Sequence, residues 1–275
     1  MNSLTPDRDA LVSFIGGSVH KYYVGGIAFR FSVTQLIGKY FKEFDSTRIC
    51  RNMCTRADFF SNPTYEKYWN LVTPELVATD ISTAIRRITE SWEHTKNQAA
   101  ILGTAMHQSI EDYITTAKEL PDTVESKFFM DFHTDMLAEG YVSWKAEQIF
   151  YDTDYDLSGS ADMIYTRPEW ITQQLSTGLL RVFIVDWKRT KEIKTTSFGN
   201  QYGIGICSKI PDCNYMHYTL QINIYAHLAT KNYGMQVERM AIVVFHPDNS
   251  NGGYRMYEVG LKAKTARRIC QATQL

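Results

Sequence analysis

Asp186 and Lys188 flank Trp187 in the run VFIVDWKRTK, residues 182–191. Side chains two apart on a strand share a face, so the acid and the ammonium reach one point while Val185 and Trp187 pack the opposite way. Alone, such a pair more often makes an exposed ion pair at a strand end. Other residues give it company. Asp162 stands in SGSADMI behind Gly159, Ser160 and Ala161, a small-residue stretch that lets a second backbone or a phosphate come close. Glu147 is a third carboxylate in the preceding strand-like run SWKAEQIFY, and His107 and Glu111, four apart, share one face of a helix. One carboxylate from each of two neighbouring strands is a donor set for a hard divalent cation, and an added neutral imidazole shifts preference from Mg²⁺ toward Mn²⁺. Each residue also has a plainer reading: His107 as an interior histidine, Asp162 as a turn cap, Glu111 as a surface acid, and Gln221 and Tyr225 as the hydrogen-bonding face of an ordinary helix.

The elements that must position these groups follow from periodicity. Residues 27–42 read as a short strand and a helix capped by Ser32 or Thr34. Apolar residues at helical spacing predict a helix over 79–96, with Ile81, Ala84, Ile85, Ile88 and Trp92 on one face. A second helix follows at once, carries His107 and is ended by Pro121, and a third, about 123–139, stops at Gly140. The period then changes from helical to alternating. Strands are expected at about 143–151, 156–166 and 180–187, forming a meander. A glycine-bearing loop over 192–214 is long enough to be a mobile flap. Beyond it come a helix ending at Gly234, two strands in ERMAIVVFHP and GYRMYEVG, and a basic closing helix. The order predicts a mixed α/β (α+β) fold with a central sheet covered on both faces. We expect a helical part over 1–98 packed on a core over 99–275.

Composition sets limits. Lys plus Arg number 29 and Asp plus Glu 30, for a net charge of −1, so contact with a polyanion must come from local basic patches. Such patches are Arg189, Lys191 and Lys194 beyond the acid–lysine pair, Arg86 and Arg87, and Lys262, Lys264, Arg267 and Arg268 on the closing helix. Phe198, Tyr202, Tyr215 and Tyr218 are aromatic groups suited to stacking on unpaired bases, although some must be core. Five scattered cysteines make no disulfide framework, and the opening MNSLTPDRDALVSF has neither a secretory nor a transit pattern, so a soluble intracellular protein without membrane spans is expected. Cys50 and Cys54, four apart, with Cys207 and Cys213, could ligate zinc or an iron–sulfur cluster, but buried inert thiols explain the spacing as well.

In order along the chain, GTAMHQSIE, GSADMI, VDWK and QINIY resemble the motifs of the PD-(D/E)XK nuclease superfamily, in particular its RecB-like exonuclease branch, with FSVTQLIGKYFKEFD a weaker similarity upstream. The resemblance implies a restriction-endonuclease-like core. It further implies that His107, Asp162, Asp186 and the backbone carbonyl of Trp187 hold Mg²⁺ or Mn²⁺, that Lys188 aids the attacking water, and that Gln221 and Tyr225 contact substrate or brace the lysine. Glu147 joins the catalytic candidates, and Arg189, Lys191 and Glu111 the substrate-binding ones. Iron–sulfur members of the branch carry three cysteines after the last motif, whereas only Cys270 follows Tyr225 here, so no cluster is expected. The implied activity is hydrolysis of DNA from free or single-stranded ends. The alternatives are an RNA endonuclease of the cap-snatching type, which combines a histidine, two acids and a lysine in the same order, and an inactive nucleic-acid-binding protein that keeps the fold. Like charge from bound cations and partial burial are both expected to lower the pKa of Lys188.

Overall fold

The computed structural model describes residues 11–15 and 21–274. The opening MNSLTPDRDA lies outside them. The described chain separates into two compact units, one of residues 43–104 and one of residues up to 42 together with 105 onward. This division differs from the expected one at residue 98, because residues 31–42 pair and pack with the sheet of the larger unit.

In the larger unit, β1 (Val12–Ile15), β2 (Lys21–Val24) and β3 (Ile27–Ala28) form a small antiparallel sheet. The β2–β3 turn is Gly25-Gly26, both at positive φ (56° and 82°), as a two-residue hairpin of this twist requires. The hairpin was not anticipated, although two glycines between strand-forming runs are its usual signal. Next, β4 (Phe31–Ser32) leads into α1 (Val33–Gly38), where Ser32 caps the first turn and Gln35 returns a bond to the Ser32 N–H.

The smaller unit holds α2 (Ser46–Cys54), α3 (Pro74–Thr79) and the first part of α4 (Ile81–Thr116), packed around Phe59, Val72, Ile85 and Ile88. Helix α4 is one element of 36 residues, where two helices were expected. No proline interrupts residues 81–116, and the lone Gly103 is tolerated within a long helix. It ends at Thr116 with Ala117 at φ 56°, before reaching Pro121.

From residue 105 the chain builds the main sheet. After α5 (Val124–Ala138), which stops at Gly140 (φ 85°), come β5 (Val142–Asp152), β6 (Leu157–Thr166), α6 (Pro168–Thr177), β7 (Leu180–Lys188), α7 (Asn214–Asn232), β8 (Met235–Val244), β9 (Arg255–Glu258) and α8 (Ala263–Gln271). Strands β5, β6 and β7 are the expected antiparallel meander, but α6 interrupts it, a short helix that starts on Pro168 and ends on left-handed Gly178. Strand β8 pairs parallel to β7 through the α7 crossover, β9 antiparallel to β8, and β4 parallel to the start of β6. The result is a mixed α/β fold, a six-stranded mixed sheet with helices on both faces.

One core layer joins Phe150, Ile164, Val182 and Ile184 to α1, α7 and α8, and the other joins Met163, Tyr165, Val185 and Trp187 to α5 and the end of α4. Strand alternation thus puts Trp187 into the second layer, where it meets Phe129, Phe132 and Phe245 at centroid separations of 5.9, 5.6 and 5.5 Å. Each aromatic contact contributes about 1 kcal/mol beyond area burial, so Trp187 locks the strand end whose other face carries Asp186 and Lys188. The segment 192–214, expected as a flap, contains two 3₁₀ turns and is pinned by Gly203 N–H to Ile210, Asp212 N–H to Gln201 and Ile204 N–H to Tyr40.

Candidate metal centre

Antiparallel pairing sets the centre of the site. Met163 lies opposite Val185, so Asp162 on β6 and Asp186 on β7 stand side by side on the same face. The Trp187 N–H donates to Asp162 Oδ2 at 2.5 Å, tying the two strands together through the carboxylate. From α4, His107 brings Nδ1 to 3.3 Å from Asp162 Oδ1 and 3.9 Å from Glu147 Oε1. His107, Glu147 and Asp162 form a group whose ligand atoms all lie within 4.8 Å of one another.

Glu147 reaches this group by a distortion. It sits inside β5 at φ 46°, left-handed backbone that a non-glycine residue adopts at a cost on the order of 1 kcal/mol or more. Pairing of Ala146 with Met163 and of Gln148 with Ala161 holds it there. Its Oε2 accepts a hydrogen bond from Ser160 Oγ at 2.8 Å. Ser160 was read only as a small residue, and the structure makes it the brace of the third carboxylate.

Asp186 is 1% exposed, and neither of its oxygens receives a hydrogen bond of ordinary geometry. Lys188 Nζ lies 2.5 Å from Asp186 Oδ2, so the contact is an ion pair lacking the direction of a good hydrogen bond. Burial pushes the Asp186 carboxyl up to about 6 against the opposing pull of Lys188. Burial also raises Asp162, but His107, Lys188 and the Trp187 N–H outweigh it and hold that carboxyl below its usual range. Glu147 is raised by burial and by Asp162. Burial alone would lower His107, yet the Asp162 and Glu147 carboxylates lift it to about 10.

Lys188 departs from expectation. Burial does lower it, but Asp186 and Asp162 outweigh burial and raise its pKa, so with no cation bound the ammonium stays charged. The expected downward shift assumed bound cations as its neighbours. Here the nearest charges are two carboxylates, and the positive charge that balances them comes from His107 and Lys188.

On α7, Gln221 Nε2 donates to the Tyr225 hydroxyl at 2.8 Å, and Tyr225 is buried with its pKa raised first by burial and then by Asp186. Tyr218, one turn before Gln221, sets its ring 4.8 Å from Lys188 Nζ. Tyr22 on β2 was not anticipated: burial, then Glu147 and Asp162, push its hydroxyl up to about 12. Gly159 has a reason other than phosphate approach, because a Cβ there would lie 2.7 Å from the Tyr225 ring and 3.0 Å from Val33. Gly159→Ala should therefore force Tyr225 and Val33 apart at a cost of about 1–3 kcal/mol, read as a lower melting temperature. An unchanged melt would show that the ring contact is slack.

The outlying candidates are engaged elsewhere. Arg189 Nε donates to Glu125 at 2.7 Å in a pair with both side chains largely buried, so its first role is to tie α5 to the end of β7. Lys191 pairs with Asp248 at 2.9 Å, and Glu111 accepts from Gln108 at 3.2 Å. Phe198 (82% exposed) and Tyr202 (49%) present aromatic surface from the loop after β7, whereas Tyr215 and Tyr218 are half-buried. All five cysteines are free and buried. Among the described residues they join no group of three metal-ligating side chains.

No protein-family model matches the chain, and no curated protein matches it either. Among solved structures, one described as "Crystal structure of SSO0001" is similar over 88% of this chain and 73% of that chain, at 15% identity and a TM-score of 0.33. Similarity that low carries no argument. Among the described residues no helix is long and apolar enough to cross a membrane.

Proposed function

We propose that the protein is a metal-dependent nuclease of the PD-(D/E)XK type that hydrolyses nucleic-acid phosphodiesters, with DNA carrying free or single-stranded ends as its substrate. The observation that carries this reading is the gathering of His107, Glu147 and Asp162 within 4.8 Å, beside an Asp186 carboxylate that is buried without hydrogen-bond partners. Its close neighbour is the Lys188 ammonium, 2.5 Å from Oδ2, and a divalent cation would take the acceptor positions that this ion pair leaves unfilled. The donor set also fits: carboxylates with one imidazole suit Mn²⁺ and Mg²⁺, and no thiolate stands among them.

His107, Glu147, Asp162 and Asp186 would hold one or two divalent ions. Bound there, such an ion offsets charge on the phosphoryl oxygens and acidifies water. The chain's own groups do the rest. The Trp187 N–H and Ser160 orient Asp162 and Glu147, which limits reorganisation during reaction. Lys188, charged and next to Asp186 in the cation-free site, is placed to attract the phosphate and to orient the attacking water. Gln221 and Tyr225 brace that side of the site through their shared hydrogen bond. Phe198 and Tyr202 offer exposed rings to unpaired bases just past the strand that carries Asp186 and Lys188. The choice of DNA ends over internal bonds rests on the motif resemblance.

The test is digestion of labelled linear and circular DNA and of RNA, each with Mg²⁺ or Mn²⁺. Linear DNA should be degraded and circular DNA spared. Mn²⁺ should equal or exceed Mg²⁺, because His107 is an imidazole donor. Strict dependence on Mg²⁺ would remove His107 from the ligand set, cleavage of circles would replace end attack with internal attack, and cleavage confined to RNA would replace the substrate.

A further inference from the structure

At the far end of α7 from Tyr218 lies a second feature, which shares no residue with the His107 group. A cavity of about 490 Å³ is lined by Tyr155, His227, Lys231, Ala263, Lys264 and Arg267. Its volume falls in the range of small-ligand sites, roughly 300–1,000 Å³. The basic closing helix, whose charges the metal centre does not use, forms one wall, and Lys264 and Arg267, three apart, present their side chains on one face of it.

The charges are distributed unevenly. Lys231 is neutralised locally, its ammonium 2.5 Å from Asp152 and 3.2 Å from Asp154, with Asn232 also donating to Asp152. Lys264 and Arg267 are exposed, and among the described residues no carboxylate lies within ion-pair distance of either. The aromatic wall is already occupied: the Tyr155 ring stacks on His227 at 5.9 Å and lies 4.1 Å from the Lys231 ammonium, and its hydroxyl is 3.5 Å from His227 Nε2. The Tyr155 ring therefore already has His227 and Lys231 as neighbours. What the cavity offers a ligand is a guanidinium and an ammonium over a rigid, hydrogen-bonded floor. A guanidinium fork with a neighbouring point charge suits the tetrahedral oxygens of phosphate.

We infer that this cavity is a phosphate-binding site, taking a phosphate or diphosphate group through Lys264 and Arg267, with Lys231, held in place by Asp152 and Asp154, at its base. The inference does not rest on the nuclease reading, and its test involves no cleavage. Inorganic pyrophosphate would be titrated calorimetrically into the whole chain at low salt with excess chelator, so that no cation at the His107 group contributes. One pyrophosphate should bind per chain. The charge-reversing double variant Lys264→Glu/Arg267→Glu should lose affinity at least tenfold, whereas Lys262→Glu/Arg268→Glu, which makes the same charge change outside the cavity lining, should lose far less. Melting curves of both variants check that the exposed substitutions leave the fold intact. No binding by the unaltered chain, an unaffected first variant, or equal losses in the two variants would each overturn the site, the last by showing a general field effect. Competition then identifies the source of the phosphate. Displacement by an oligonucleotide with and without a terminal phosphate points to backbone phosphodiesters, displacement only by the phosphorylated one to a strand terminus, and displacement by neither to a free phosphate compound.

Discussion

Asp186→Asn should lower cleavage by about 10³-fold or more, about 4 kcal/mol of transition-state stabilisation, while leaving the protein folded at neutral pH. The two halves of this expectation have one cause. Asp186 is 1% exposed and without hydrogen bonds, and burial raises its pKa from 3.8 to about 6. Between those two values the folded chain holds a proton that the unfolded chain has lost, so stability falls as pH rises through that window and stays lower above it, by a term on the order of 3 kcal/mol. Asparagine keeps the shape and abolishes the carboxylate that a cation requires; it relieves this penalty but also withdraws the nearest counter-charge of Lys188, leaving Asp162 to face the ammonium. Lys188→Ala behaves differently. It strips the ammonium from Asp186 and Asp162 and leaves buried negative charge uncompensated, so it should destabilise the chain as well as inactivate it. The comparison is made by thermal melts in chelator and by cleavage rates with Mn²⁺. An Asp186→Asn variant that still cuts at the original rate would dismiss the site, and one that melts far lower would show the carboxylate to be structural.

Divalent cation should raise the melting temperature of the chelator-treated protein by about 5–10 °C at one hundred times its dissociation constant. Binding at that excess contributes about 2.7 kcal/mol, and about 1 kcal/mol moves the transition of a chain of this size by roughly 2–4 °C. The pH dependence follows from His107. Its pKa is lifted to about 10 by Asp162 and Glu147, so at neutral pH the free site holds an imidazolium, which must lose its proton before the ring can donate to a metal. Cation binding should therefore release close to one proton and strengthen as pH rises. In chelator the sign is opposite: the stability that charged His107 contributes is fully present below pH 6.5 and is lost as pH rises through about 10. Melts with and without Mn²⁺ across pH, and calorimetry in buffers of different ionisation enthalpy, measure both effects. His107→Ala should abolish the proton release. A melting temperature indifferent to Mn²⁺ at every pH would leave the carboxylates with no ion to serve.

The local pattern was enough to read the meander of β5, β6 and β7, the helix α7 and the placement of Asp186 and Lys188 opposite Trp187, because strand alternation and helical spacing are short-range properties of the chain. His107, Asp162, Asp186 and Lys188 were grouped by the order of their motifs and the family these resemble, and periodicity supplied only the helix or strand on which each stands. Local pattern was weaker where it had to place a break. It divided α4 at a stretch that holds no breaker, and it passed over α6 and the Gly25-Gly26 hairpin.

What only tertiary structure decided are the quantities that depend on neighbours distant in sequence. Glu147 joins the cluster because its backbone is bent to φ 46° and Ser160 holds its carboxylate, and Tyr22 comes near from a strand more than a hundred residues earlier. Arg189 looks free in sequence and is paired with Glu125 of α5. The upward shift of Lys188 in the cation-free site has the same physical origin, the nearness of Asp186 and Asp162. A pKa is set by the balance between burial and all the charges within a few ångströms, and the sequence names those charges without saying which of them the fold brings close.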